Sequence, residues 1–254
     1  MSRRLLRFLI AFSVIGLAVT VAAQGRRYRE RMEFEGNVPY DGRFTMARIR
    51  YTPIADFRGF GRGDQKWDHD YPRSERNFTK ILKEITLIDP YLDGSNILTA
   101  DDPELMKYPI AYLCEVGYWT MSESEMLGLR AYLQKGGFLI VDDFSGDDMF
   151  NFQDLVKELL PDSRLVRLDA SNPIFDSFYR IESLEFPHPN YRGFTSEFWG
   201  VYLNDESDDL VMIVNYNNDI GDYWEWSDAG FLPIDLTNEA YKLGVNYVMY
   251  AFTH

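Results

Sequence analysis

The chain has little of what most directly announces a chemistry. It holds one cysteine, Cys114, so no intrachain disulfide can form and a disulfide-stapled scaffold is excluded. Cys114 sits in an apolar run, which suits a buried, inert thiol better than a nucleophile. There are three histidines, His69, His188 and His254. They are scattered and no HExxH pair occurs, so the usual zinc-hydrolase pattern is absent. No GK[ST] phosphate loop is present. Gly59, Gly61 and Gly63 are spaced by one, not as a dinucleotide fingerprint, and a nucleotide site is unsupported. Positive charge is scarce too. Lys and Arg number 26 against 40 Asp and Glu, for a net charge of −14. That argues against nucleic acid or an anionic membrane as partner of the folded part.

Apolar length is short as well. Residues 8–21 form an apolar stretch behind Arg3, Arg4 and Arg7, but a membrane span needs about 20 residues. Small residues at 21–23 offer a cleavage point before Gln24. The segment reads as a signal peptide over residues 1–23, with an uncleaved N-terminal anchor as the alternative. The mature protein is then periplasmic or secreted, with no membrane span left. Residues 24–43, charged and punctuated by Gly and Pro, read as a flexible connector.

Aromatic residues, by contrast, are plentiful, at 18 Phe, 17 Tyr and 5 Trp in 254 residues. The hydrophobic share of 46% is enough for one large α/β domain over residues 44–254. Its organising stretch is residues 121–148. Ser122 with Glu125 has capping-box spacing, and Met126, Leu129 and Leu133 share a helical face. Gly136 and Gly137 end that helix. Residues 138–141 are continuously apolar, as a strand covered on both faces should be. The pattern also gives strands at 44–51, 97–98, 110–116 and 164–168. Helices are expected from Ser74 to Ile85, from Asp147 or Asp148 to Pro161, and over 238–252. Alternating strands and helices between 44 and 168 predict a doubly wound, mainly parallel sheet. A hairpin of 200–203 with 210–216 predicts an antiparallel C-terminal extension.

Ligands of open α/β sheets bind at the carboxyl ends of strands. Asp142, Asp143, Asp147 and Asp148 follow such a strand. They are candidate oxygen ligands for calcium or magnesium, although the spacing is not that of an EF-hand. Asp142 and Asp143 are also a candidate acid–base pair. The alternative for these acids is helix capping and a solvated loop. Trp67, His69 and Tyr71, and further on Asp219 and Trp224, mix rings with acids and are ligand-binding candidates. Rings in so aromatic a chain also serve the core.

The order Trp67…Tyr71-Pro72, Tyr108-Pro109, Leu133…Gly136-Gly137-Phe138, Asp142-Asp143, Asn172-Pro173-Ile174-Phe175 and Gly244-Val245-Asn246…Tyr250-Ala251 resembles a bacterial family known only as domain of unknown function 4159. The resemblance spans roughly residues 44–252. It implies a flavodoxin-like fold related to class I glutamine amidotransferases and trehalose-utilisation-type proteins. In active amidotransferases the element matching Gly136-Gly137-Phe138 leads to a nucleophilic cysteine. Asp142 and Asp143 stand there instead, Ser145 comes late, and Asn172-Pro173 replaces a His-Pro. The thiol–imidazole pair of acyl transfer is therefore missing.

These residues point to an exported, non-catalytic domain binding a protein or a cell-envelope component. Two alternatives stand beside it. One is a carboxylate-dependent hydrolase acting on a glycan or other envelope substrate. The other is a binding domain stabilised by a divalent cation, calcium or magnesium. No other cofactor is expected.

Overall fold

In a computed structural model, residues 36–54, 65–92, 95–190, 193–204, 206 and 208–254 are described. Residues 1–35, where a leader and most of a connector are expected, and the glycine-spaced loop lie outside the described residues. The strands are β1 (Ala47–Ile49), β2 (Asn96–Leu98), β3 (Ile110–Cys114), β4 (Phe138–Phe144), β5 (Arg164–Arg167), β6 (Glu197–Tyr202) and β7 (Leu210–Tyr216). The helices are α1 (Arg73–Ile85), α2 (Glu123–Gln134), α3 (Asp148–Leu159), α4 (Ile220–Glu225) and α5 (Ile234–Thr253).

The sheet runs β2-β1-β3-β4-β7-β6-β5. Its first five members are parallel, and β6 and β5 continue it antiparallel. With β7 as the fifth parallel strand this is the flavodoxin-like order, whose switch point lies between β1 and β3. β4 lies at the centre between β3 and β7, and its core-forming residues 138–142 are all buried.

Strand alternation sorts side chains onto two layers. Leu113, Leu139 and Val141 pack with Leu129 and Leu133 of α2 and Phe152 and Val156 of α3. Tyr112, Cys114 and Ile140 face the other way, onto Phe78 and Leu82 of α1 and Ala240 and Tyr247 of α5. Helix α2 begins with a complete capping box: Glu125 N–H donates to Ser122 Oγ at 3.3 Å, and Ser122 N–H donates to Glu125 Oε2 at 2.8 Å. Gly136 follows it at φ +93°, the left-handed conformation that ends the helix.

Three expectations change and one element is added. The strand expected at 44–51 is confined to Ala47–Ile49. Ser74 does not cap α1; it lies inside the helix and donates to Glu75 Oε2. β5 is not part of the parallel run. It is an antiparallel edge strand with arginines at both ends and no fully buried residue, unlike the continuous apolar strands at the centre. Finally, the polar, aromatic stretch after β7, to which the sequence pattern assigned no element, contains a helix, α4. Residues 37–38 are already anchored, since Asn37 and Val38 bond to Ile97 and Asn96. Among the described residues no helix is long and apolar enough to cross a membrane.

Candidate functional site

Parallel strands end on one side of the sheet, and the backbone there is unusually strained. Among the described residues, five other than glycine have positive φ: Lys66 (60°), Asp70 (62°), Glu115 (53°), Asp143 (53°) and Asn217 (56°). Glu115 follows β3, Asp143 lies at the end of β4, and Asn217 follows β7. Lys66 and Asp70 belong to the segment leading into α1. Left-handed backbone costs an ordinary residue roughly 1–2 kcal/mol. Such residues concentrate at functional sites because the surrounding fold holds them there.

Asp142 and Asp143 are neighbours with opposite surroundings. Asp142 is 0% exposed. Its carboxylate accepts from Tyr112 Oη at 2.8 Å, Gly221 N at 2.8 Å and Ile220 N at 3.2 Å. It therefore fastens the start of α4 to β4. Burial pushes its carboxyl upward from the usual range, and the donors from Tyr112, Gly221 and Ile220 oppose that rise. The bulge between Val141 and Phe144 turns Asp143 outward. Its Oδ2 lies 3.3 Å from His69 Nδ1, and Glu115 Oε1 lies 3.0 Å from the same nitrogen. Lys66 Nζ donates to Glu115 at 2.8 Å. Burial raises Asp143 to about 6, against the pull of His69. Burial disfavours the charged imidazole of His69, but its hydrogen bonds to Asp143 and Glu115 prevail and raise it to about 11.

Donor atoms of Asp70, Asp143 and Asp219 all lie within 4.8 Å of one another. Those of Asp70, Asp222 and Glu225 do so as well, and so do those of His69, Glu115 and Asp143. Asp70 Oδ2 is enclosed and has no hydrogen-bond partner. Burial raises Asp70 well above the usual carboxylate range, followed by the charges of Asp143 and Asp222. Asp219 is raised by burial and then by Asp143 and Asp70. Burial and then Asp222 lift Glu225 to about 7. Asp219 Oδ1 also accepts from Asp222 N at 2.9 Å, capping α4.

The segment carrying Asp70 is held from beneath by Arg48 of β1, 1% exposed. Its Nη1 donates to the carbonyls of Trp67 at 3.0 Å and His69 at 2.8 Å, and its Nε donates to Glu75 at 2.6 Å. Pro187 and Asn190 are tied to α4. Tyr223 Oη donates to Pro187 O at 3.0 Å, and Asn190 Nδ2 donates to Asp222.

Of the candidates named from sequence, Asp143, Asp219 and His69 come together, with Asp142 beneath them as an anchor. Asp147 and Asp148 do not join them. Asp147 is exposed, and Asp148 turns back to accept from Ser145 N at 3.4 Å. Trp67, Tyr71 and Trp224 are core residues. Trp224 stacks on Phe78 at 4.5 Å and donates to Ala240 O at 3.1 Å. Their rings are buried in the core. Asp70 and Glu115 were not singled out in the sequence, whereas Asp222 and Glu225 share the aromatic–acidic segment of Asp219. The only sequence signal was their presence in the WDHDY and NNDIGDYWEW segments and after the β3 run; convergence comes from the topology. Cys114 is buried, with Arg48 Nη1 donating to its sulfur at 3.2 Å, and burial pushes its thiol up. A cavity of about 790 Å³ lies elsewhere, lined by Ile81, Ile85, Tyr179 and Ile234 and by none of the converging acids.

A model of the family described as domain of unknown function (DUF4159) matches residues 45–252. No curated protein matches the chain.

Proposed function

This chain belongs to the DUF4159 family, whose description states no activity, and we propose that it is a cation-dependent binding domain. A hard divalent ion, calcium or magnesium, is held by Asp70, Asp143 and Asp219 and offers its remaining positions to an oxygen-rich ligand. The observation that carries this reading is the enclosed, unpartnered Asp70 Oδ2 where three carboxylates converge. A buried polar atom without a partner is costly, and like charges this close repel. A divalent cation relieves both, and all-oxygen donor sets suit calcium and magnesium.

His69 supports the arrangement from behind, as a positive group that orients Asp143. Asp142 has no free role in proton transfer, because three donors occupy it. Cys114 is sealed in the core. These features favour binding over nucleophilic catalysis. Export by the N-terminal leader, and a protein or envelope component as ligand, belong to the same proposal.

Thermal unfolding tests it. Ligand at 100 times its dissociation constant adds about 2.7 kcal/mol, or roughly 5–10 °C in Tm for a domain of this size. Calcium or magnesium at millimolar concentration raises Tm by that order over EDTA, and Asp70→Asn abolishes the rise. Identical melting in EDTA and in both cations contradicts the proposal.

A further inference from the structure

We infer that the centre holds two cations, the second bound by Asp70, Asp222 and Glu225, with the Asp70 carboxylate bridging the pair. The inference rests on the cation reading above and extends it. Asp70 is common to both all-carboxylate groups. A carboxylate has two oxygens and can give one to each ion.

The second position is approached by the same unpartnered Asp70 oxygen and by two further buried acids. Asp70 Oδ2 points at α4: a Cβ on Gly221 would overlap it, and would also come within 2.7 Å of Tyr112 Oη. Helix α4 is the element that carries Asp222 and Glu225, three positions apart and so on one face. Both are only 8% exposed. No Lys or Arg forms an ion pair with either among the described residues; Arg73 reaches Asp228 and Arg48 reaches Glu75 instead. Asp222 Oδ1 accepts from Trp226 Nε1 at 3.1 Å and Asp222 Oδ2 from Asn190, which fixes its carboxylate in place. Burying such acids is expensive without sufficient countercharge, and at Glu225 the charges of Arg73 and His69 are outweighed by burial and Asp222. A second ion supplies that countercharge, and ions in bridged pairs sit about 3.5–4 Å apart. The donors are all oxygen, so the second ion is again magnesium, calcium or manganese rather than zinc or copper.

Manganese, which is paramagnetic, is the probe. Titration of the full chain with Mn²⁺, followed by calorimetry and electron paramagnetic resonance, gives two ions per chain and an exchange-coupled spectrum at saturation. Glu225→Gln, close in shape to the native residue, reduces this to one ion with an uncoupled six-line spectrum. Asp222→Asn serves as the second variant, and circular dichroism in EDTA checks that each folds. One ion per chain in the wild type, unaffected by Glu225→Gln, overturns the second site and leaves the first intact. Two ions with uncoupled spectra overturn the bridge. No bound manganese at all overturns both readings.

Discussion

Asp142→Asn exposes how much the site depends on a residue that does not line it. The native carboxylate satisfies three donors, with Oδ2 serving Tyr112 and Gly221 and Oδ1 serving Ile220. An asparagine has one acceptor oxygen. Placed at Oδ2, it keeps two donors and turns its NH₂ toward Ile220 N–H. The charge-assisted bond from Ile220 is lost and its buried N–H is left unpaired, at a cost of about 1–3 kcal/mol. The loss is partly offset, because burial already penalises the Asp142 charge and the amide carries none. A net destabilisation of about 2 kcal/mol remains, or roughly 4–8 °C in Tm. Since Ile220 and Gly221 open α4, the same change loosens Asp222 and Glu225 and weakens cation binding without removing a ligand. Scanning calorimetry with and without calcium measures both effects. A variant that melts with the wild type, or above it, refutes the assignment of Asp142 as the anchor of α4.

Two further outcomes are expected. Alanine normally favours a helix over glycine by about 1 kcal/mol. In Gly221→Ala the new methyl overlaps Asp70 Oδ2, so the sign reverses: Tm falls and calcium affinity with it, read by calorimetry. His188 is held neutral by burial, its pKa lowered to about 4 against the opposing charge of Asp222. The unfolded imidazole takes up a proton near its ordinary value of 6.5, the folded one only near 4. Its contribution is therefore full above about pH 6.5 and is lost as pH falls toward 4. A Tm profile across that window is less steep in His188→Gln than in the wild type.

Local grammar made much of the fold readable. Ser122 and Glu125 cap α2 as their spacing required, Gly136 takes the left-handed turn, and the apolar run after it is the central strand. What could not be read was produced at long range. Asp70, Asp143 and Asp219 lie far apart in the chain and meet only because the ends of β4 and β7 are adjacent and Arg48 holds the 67–70 segment beside them. The acidic run after β4 looked like one cluster, yet a bulge separates a buried Asp142 from an outward Asp143, and α3 carries Asp148 away. Asp219 and Trp224 read as a ring beside an acid, whereas Asp219 caps a helix that turns Trp224 into the core. Arg48 gave no warning either. An arginine inside a short strand reads as its solvent face, and only the buried partners Glu75, Trp67 and His69 explain it.

The most direct measurement is isothermal titration of calcium and of magnesium into the metal-free chain, beside Asp70→Asn. Saturable heat in the wild type for at least one of the two ions, and none in the variant, is what the converging carboxylates require. A flat titration of the wild type by both ions, or equal binding by the variant, contradicts a cation centre at these strand ends.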